Sequence, residues 1–183
     1  MIIIKNATVA LAGVTLIVVA GFVGAQEMPQ PSEEHEWLQR FVGEWSTDVK
    51  IFMDPDGPPT EVQVAETFRP VGGFWVVGDM ESRTEEMPFS GVYTIGYDSE
   101  TGNYIGFWIE SMTGNLMNYR GSVNAAGDVL TMKAEGACPM RPGELTKFRE
   151  VTEFKSDDYR RITSAIYVDG EWVENVTIES RRK

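Results

Sequence analysis

The chain has 183 residues, with 28 acidic and 16 basic side chains, one histidine and a formal net charge of −12 at pH 7. This balance argues against nucleic acid or an anionic membrane surface as a partner, because both would repel the protein. Cys138 is the only cysteine, which excludes an internal disulfide. One cysteine and one histidine are too few for a typical zinc site, so the sequence predicts no metal.

Residues 1–25 have the features of a signal peptide. Lys5 precedes an uncharged apolar run, and Ala25 provides a small residue before Gln26. An uncleaved membrane anchor is the alternative, because the run approaches the length of a short spanning helix. No positive cluster follows as a stop signal. The sequence therefore predicts export to a bacterial periplasm or the medium, without stable membrane association after cleavage.

After a polar leader at residues 26–31, the remaining residues 32–183 are predicted to form one domain. Ser32 can cap a helix of about ten residues that ends at Gly43. At helical spacing, one face of this segment is apolar, with Trp37, Leu38, Phe41 and Val42. Because so short a helix is not stable alone, we expect it to pack on an apolar surface.

From Glu44 onward the apolar residues alternate with period two, which indicates strands. About ten are predicted: 45–53, 62–68, 73–81, 89–97, 104–112, 116–123, 129–135, 147–155, 160–168 and 172–181. Turn sequences such as 54–57, 98–102 and 169–170 separate them. The prediction is an all-β fold, a single antiparallel up-and-down barrel with a short N-terminal helix, and a β-sandwich is the alternative. A barrel of this size can hold one small ligand.

Several segments resemble the DUF1579 family of uncharacterised bacterial proteins. The matching pieces are 31–38 (PSEEHEWL), 42–45 (VGEW), 72–78 (GGFWVVG), 95–98 (IGYD), 107–112 (FWIESM), 147–151 (KFREV) and 156–158 (SDD). The resemblance covers nearly all of residues 29–183. It implies a calycin-like barrel, similar in outline to lipocalins and nitrobindins, and it implies no established reaction.

The nitrobindin-like outline suggests haem, which usually needs an axial histidine in the cavity. His35 lies on the predicted helix beside glutamates, so we expect it to be solvated and predict no cofactor. Cys138 lies in a predicted loop, and the only base available to it is the distant His35. The sequence therefore assigns no catalytic residue.

Acidic side chains occur at interior positions of the predicted barrel. Parity with the valines of its strand places Glu66 inside, and Trp108 and Glu110 share one face of another strand. A buried carboxylate must be paired or protonated, and Arg149 or Arg120 is the expected partner. These acids can anchor a ligand, or they can form a structural Glu–Arg bridge.

The leading hypothesis is a barrel that binds a small, largely apolar molecule without chemistry. The predicted ligand-binding residues are Glu66, Trp108, Glu110, Met112, Tyr119 and Arg149, and Trp45 is predicted to close one barrel end. Two alternatives stay open: an acid–base enzyme that uses an interior carboxylate, and a filled barrel that serves protein interaction. Oligomerisation also stays open.

Overall fold

The computed structural model describes residues 28–53, 57–139, 141 and 143–183. The chain divides into two compact units, Met1–Gln30 and Pro31–Lys183, and every helix and strand described below belongs to the second. The predicted signal peptide and the core of the predicted turn at 54–57 lie outside the described residues. Within the described ranges, no helix has the length and apolar character needed to cross a membrane.

A short helical segment precedes the sheet. Helix α1 spans Glu33–Trp37, with Ser32 at its N-cap, and a 3₁₀ turn continues it over Leu38–Phe41. This confirms the predicted helix, one residue shorter than expected. Its apolar face is buried, because Leu38 is fully inaccessible to solvent and Phe41 nearly so. Gly43 follows with φ of +130°, a backbone conformation that side chains disfavour.

Ten strands follow, as the alternation predicts. They are β1 (Gly43–Ile51), β2 (Thr60–Val71), β3 (Trp75–Ser82), β4 (Ser90–Asp98), β5 (Asn103–Glu110), β6 (Met117–Val123), β7 (Val129–Ala137), β8 (Leu145–Ser156), β9 (Tyr159–Val168) and β10 (Glu171–Arg182). Each strand pairs antiparallel with the next along the chain, and β10 pairs with β1. The sheet is thus a closed barrel, and the alternative of a β-sandwich is wrong.

The helical segment covers one end of the barrel, which we call the closed end. There Trp45 is completely buried and its indole Nε1 donates to the Phe41 carbonyl oxygen at 2.8 Å. Arg182, near the end of β10, donates from Nη2 to the Arg40 carbonyl oxygen at 3.0 Å. These contacts hold the helical segment on the strand ends, and Leu38 and Phe41 pack into the core beneath it.

His35 differs from its prediction, because it is buried rather than solvated. Its Nδ1 lies 3.0 Å from the backbone nitrogen of Ser32, and its Nε2 lies 3.0 Å from the carbonyl oxygen of Tyr97. A carbonyl only accepts, so Nε2 carries the proton and Nδ1 accepts from the Ser32 N–H. His35 therefore joins the helix N-terminus to β4. Both ring nitrogens are engaged in this structural role.

Candidate functional site

A cavity of about 420 Å³ lies inside the barrel, beyond the core at the closed end. Its wall reaches from Phe41, in the helical segment, and Phe68 beneath it to the opposite, open end of the barrel. There Met112 lines the cavity and is 59% exposed. Most of the lining is apolar, and a cavity of this size is typical of small-molecule sites. The filled barrel considered from the sequence is therefore wrong.

Five of the six residues predicted to bind a ligand line this cavity: Glu66, Trp108, Glu110, Met112 and Tyr119. They come from three strands and the loop after β5. The strand register brings some of the lining residues together, because Trp108 pairs with Tyr93 on one side and with Met117 on the other. Gly91 makes room for Trp108, since a Cβ atom at that position would overlap the indole ring.

Arg149 does not line the cavity, and its predicted position there is wrong. It lies on the outer face of β8, where its guanidinium carbon is 4.6 Å from the centroid of the Trp172 ring. Arg120 also faces outward, and its Nη1 donates to Thr101 Oγ1 at 3.0 Å. Neither arginine is therefore the interior partner that the sequence analysis expects.

The interior partner is Arg160, at the start of β9. Its Nη2 donates to the carboxylate of Glu66, and both side chains are buried almost completely. Its guanidinium carbon lies 4.5 Å from the Trp45 ring centroid and 4.7 Å from that of Phe68. Aromatic faces attract a desolvated cation, so the rings support the charge that Glu66 balances. This buried pair forms the inner end of the cavity.

Glu150 is the functional candidate that the sequence analysis missed. It lies on β8, lines the cavity and pairs in register with Ser164 on β9. Burial raises the pKa of its carboxyl group to about 7, because desolvation and the nearby Glu66 charge outweigh the opposing effect of Arg160. At neutral pH this carboxyl group therefore exists in both its acid and its ionised form.

Two tyrosines stand in the same wall. Burial raises the pKa of Tyr93 and of Tyr119, and the charge of Glu150 adds to both shifts. The Tyr93 hydroxyl lies beside the Glu150 carboxyl and has no other hydrogen-bond partner among the described residues, and Nε and Nη1 of Arg160 have none. The two arginine nitrogens are donors and the phenol can donate, so the inner part of the cavity offers hydrogen-bond donors to an oxygen atom. Asn175 Oδ1, an acceptor elsewhere in the cavity wall, is also buried without a partner among the described residues.

Glu110 has a different environment. Its Oε2 accepts from the backbone N–H of Met112 at 2.7 Å, close to the open end. Within the described ranges, no group of three or more His, Cys, Asp or Glu side chains is placed to hold a metal ion. The arrangement as a whole is an apolar cup with one ion pair and one titratable carboxyl group toward its inner end.

Comparison with known proteins places the chain in a family. Residues 30–182 match the family described as "Protein of unknown function (DUF1579)", so the chain belongs to this family and the resemblance noted from the sequence is confirmed. No curated protein matches the sequence significantly.

Two solved structures illustrate the shared fold. Rv2717c from M. tuberculosis is 15% identical and aligns with a TM-score of 0.63 over 84% of this chain and 99% of that one. The S-type phycobiliprotein lyase CPES from Guillardia theta is 14% identical, with a TM-score of 0.53 over 85% and 98% of the two chains. At these identities the similarity shows the barrel fold alone.

Proposed function

We propose that this DUF1579 protein binds a small, largely apolar molecule inside its barrel. The observation that carries the proposal is the 420 Å³ cavity, whose apolar wall surrounds a small number of polar groups. Such a combination is typical of small-molecule sites, where apolar area supplies affinity and the polar groups fix orientation. The neighbour named as a phycobiliprotein lyase is consistent with a barrel of this type handling a small molecule.

Native mass spectrometry of the protein, purified gently from an expressing cell, tests the proposal directly. A reproducible added mass that disappears on denaturation supports it. The uncharged fluorescent probe N-phenyl-1-naphthylamine provides a second measurement, and we expect micromolar binding. A protein with no added mass and no probe binding contradicts the proposal.

Two phenylalanine substitutions on β9 show whether the probe enters the cavity. Ser164 lines the cavity, so Ser164→Phe should fill it and reduce probe affinity by at least tenfold. Thr163 precedes it and faces the other side of the sheet, so Thr163→Phe adds the same ring outside the barrel. If both variants bind the probe like the original protein, binding occurs elsewhere on the surface.

One observation favours a second function, an acid–base enzyme. A general acid or base works best with a pKa near the working pH, and Glu150 combines such a pKa with a place in the cavity wall. It takes the role that the sequence analysis considered for Glu66 or Glu110. Chemical change of a bound molecule on incubation, abolished by Glu150→Gln, would favour this function over binding alone.

We also propose that the protein is exported and that residues 1–25 are removed. The charged start, the apolar run and the small residue at Ala25 support this, as does the acidic net charge, which suits solubility outside the cell. Cell fractionation followed by N-terminal sequencing tests it. A first residue at Gln26 in the exported fraction supports cleavage, and an intact membrane-bound chain supports the anchor.

A further inference from the structure

The polar groups at the inner part of the cavity form a set of donors. Arg160 uses Nη2 for Glu66, while its Nε and Nη1 have no partner among the described residues, and the Tyr93 hydroxyl has only the Glu150 carboxyl beside it. Arg160 is fully buried and Tyr93 is 94% buried, and both line the cavity. Buried donors are costly to leave unpaired, so a molecule that brings an acceptor to them gains affinity.

The charges around this set are nearly balanced. The charges of Glu66 on β2 and Arg160 on β9 cancel, and the tyrosines on β4 and β6 are neutral, since burial raises their pKa values further above neutral pH. Glu150 on β8 is the remaining titratable group of the inner cavity, and its acid form leaves the site with no net charge. A carboxylate ligand would add an unbalanced negative charge, and an ammonium ligand would approach Arg160.

Resting on the function proposed above, we propose that the ligand is an uncharged apolar carbonyl compound, a ketone, aldehyde or ester. Its oxygen enters first and accepts hydrogen bonds from Tyr93 and Arg160, and protonated Glu150 supplies a further donor. The apolar remainder lies along the wall toward Trp108 and Met112. A carbonyl oxygen only accepts, so it can take the hydrogen bonds of these donors without bringing a donor of its own, whereas a hydroxyl brings a donor that must find an acceptor such as Glu66.

Displacement of N-phenyl-1-naphthylamine by four ligands with ten-carbon chains tests the head group at pH 6. We expect 2-decanone to bind roughly tenfold more tightly than 1-decanol, decanoate or decylamine, the gain of one hydrogen bond to a buried donor. Tyr93→Phe should remove about that factor for 2-decanone. Tyr104→Phe is the matched control, because its hydroxyl donates to the Glu34 carbonyl oxygen at 3.3 Å and the residue does not line the cavity.

The pH dependence provides an independent test. When Glu150 ionises it accepts the hydrogen bonds of Tyr93 and Arg160 itself and repels the carbonyl oxygen. The affinity for 2-decanone should therefore fall above pH 7, toward tenfold per pH unit, and it should be nearly constant in Glu150→Gln. Affinity of the original protein that stays unchanged between pH 6 and 9 overturns the proposal.

The same experiment separates this inference from the proposed function. If the naphthylamine probe does not bind at all, the function itself is wrong. If the probe binds but decanoate, decylamine or 1-decanol displaces it at least as well as 2-decanone, or if Tyr93→Phe leaves the preference for 2-decanone intact, the cavity binds ligands but the carbonyl assignment is wrong. If 2-decanone displaces it best and Tyr93→Phe removes the preference, both stand.

Discussion

The two ends of the barrel are built from the same ten strands but differ in how their interiors are filled. At the closed end the helical segment adds Leu38 and Phe41 to the inward-facing side chains, and Trp45, Ile95 and Leu130 are no more than 1% exposed. At the open end the described residues include no such segment, and Met112 is 59% exposed. An inward-facing position on a strand is therefore not enough to place a residue in a packed core.

Polar groups show the same contrast. Glu66 and Arg160, near the closed end, are buried and paired with each other. Glu110, near the open end, accepts from the Met112 backbone and has no charged partner among the described ion pairs. The cavity therefore exists because the helical segment fills only one end, and its ion pair is part of the closed-end structure as well as of the cavity wall.

Removing one member of the buried pair should have the largest effect on stability. Arg160→Met leaves the Glu66 carboxylate buried without a counter-charge, which should lower the free energy of unfolding by about 3–5 kcal/mol. The double variant Glu66→Leu/Arg160→Met replaces both charges with apolar groups and should recover most of that loss. Urea unfolding at pH 7 measures both.

A double variant that is as unstable as the single one would contradict this account. It would mean that Arg160 stabilises the closed end mainly through the Trp45 and Phe68 rings, which lie 4.5 and 4.7 Å from its guanidinium carbon.

Substituting one methionine at each end of the barrel compares the packing of the two ends directly. Met132 on β7 is 1% exposed and packs in the core, so Met132→Ala should lower the free energy of unfolding by about 2–5 kcal/mol. Met112 lines the open end, so Met112→Ala should change it by less than about 0.5 kcal/mol and weaken naphthylamine binding severalfold. Equal losses of stability in the two variants would show that both ends are packed alike.

The fold could be predicted from the sequence because its signals are local. Alternation with period two and turn residues between the runs give ten strands, and consecutive antiparallel pairing leaves closure as the way to remove the edges. Parity also predicts Glu66 inside, because its strand has a single apolar face, and the structure agrees. β5 is apolar on both faces, with Ile105 and Phe107 on the face opposite Trp108, so parity alone does not single out its inward face.

The errors have physical causes that the sequence partly shows. On β8 Phe148 and Phe154 share one parity and Val151 has the other, so either face could be the inner one, and the arginine at 149 was placed inside in place of Glu150. Ile162 and Ile166 on β9 give Arg160 the inward parity, a signal that was available. His35 lies three residues before Leu38, on the same helix face, which also indicates burial.

The ionisation of Glu150 in the cavity makes the free energy of unfolding depend on pH. The folded protein holds its proton to about pH 7, whereas an exposed glutamate in the unfolded chain releases it near its ordinary value of 4.5. Its stabilising contribution is therefore complete below pH 4.5 and is lost as pH rises through 7. The free energy of unfolding should fall by about 2–3 kcal/mol between pH 5 and 8 through this group.

Glu150→Gln removes the titration, so the stability of this variant relative to the original protein should rise by this amount over the same range. A constant difference between the two proteins would mean that the Glu150 carboxyl is well solvated, and the inner part of the cavity would then be as wet as the surface.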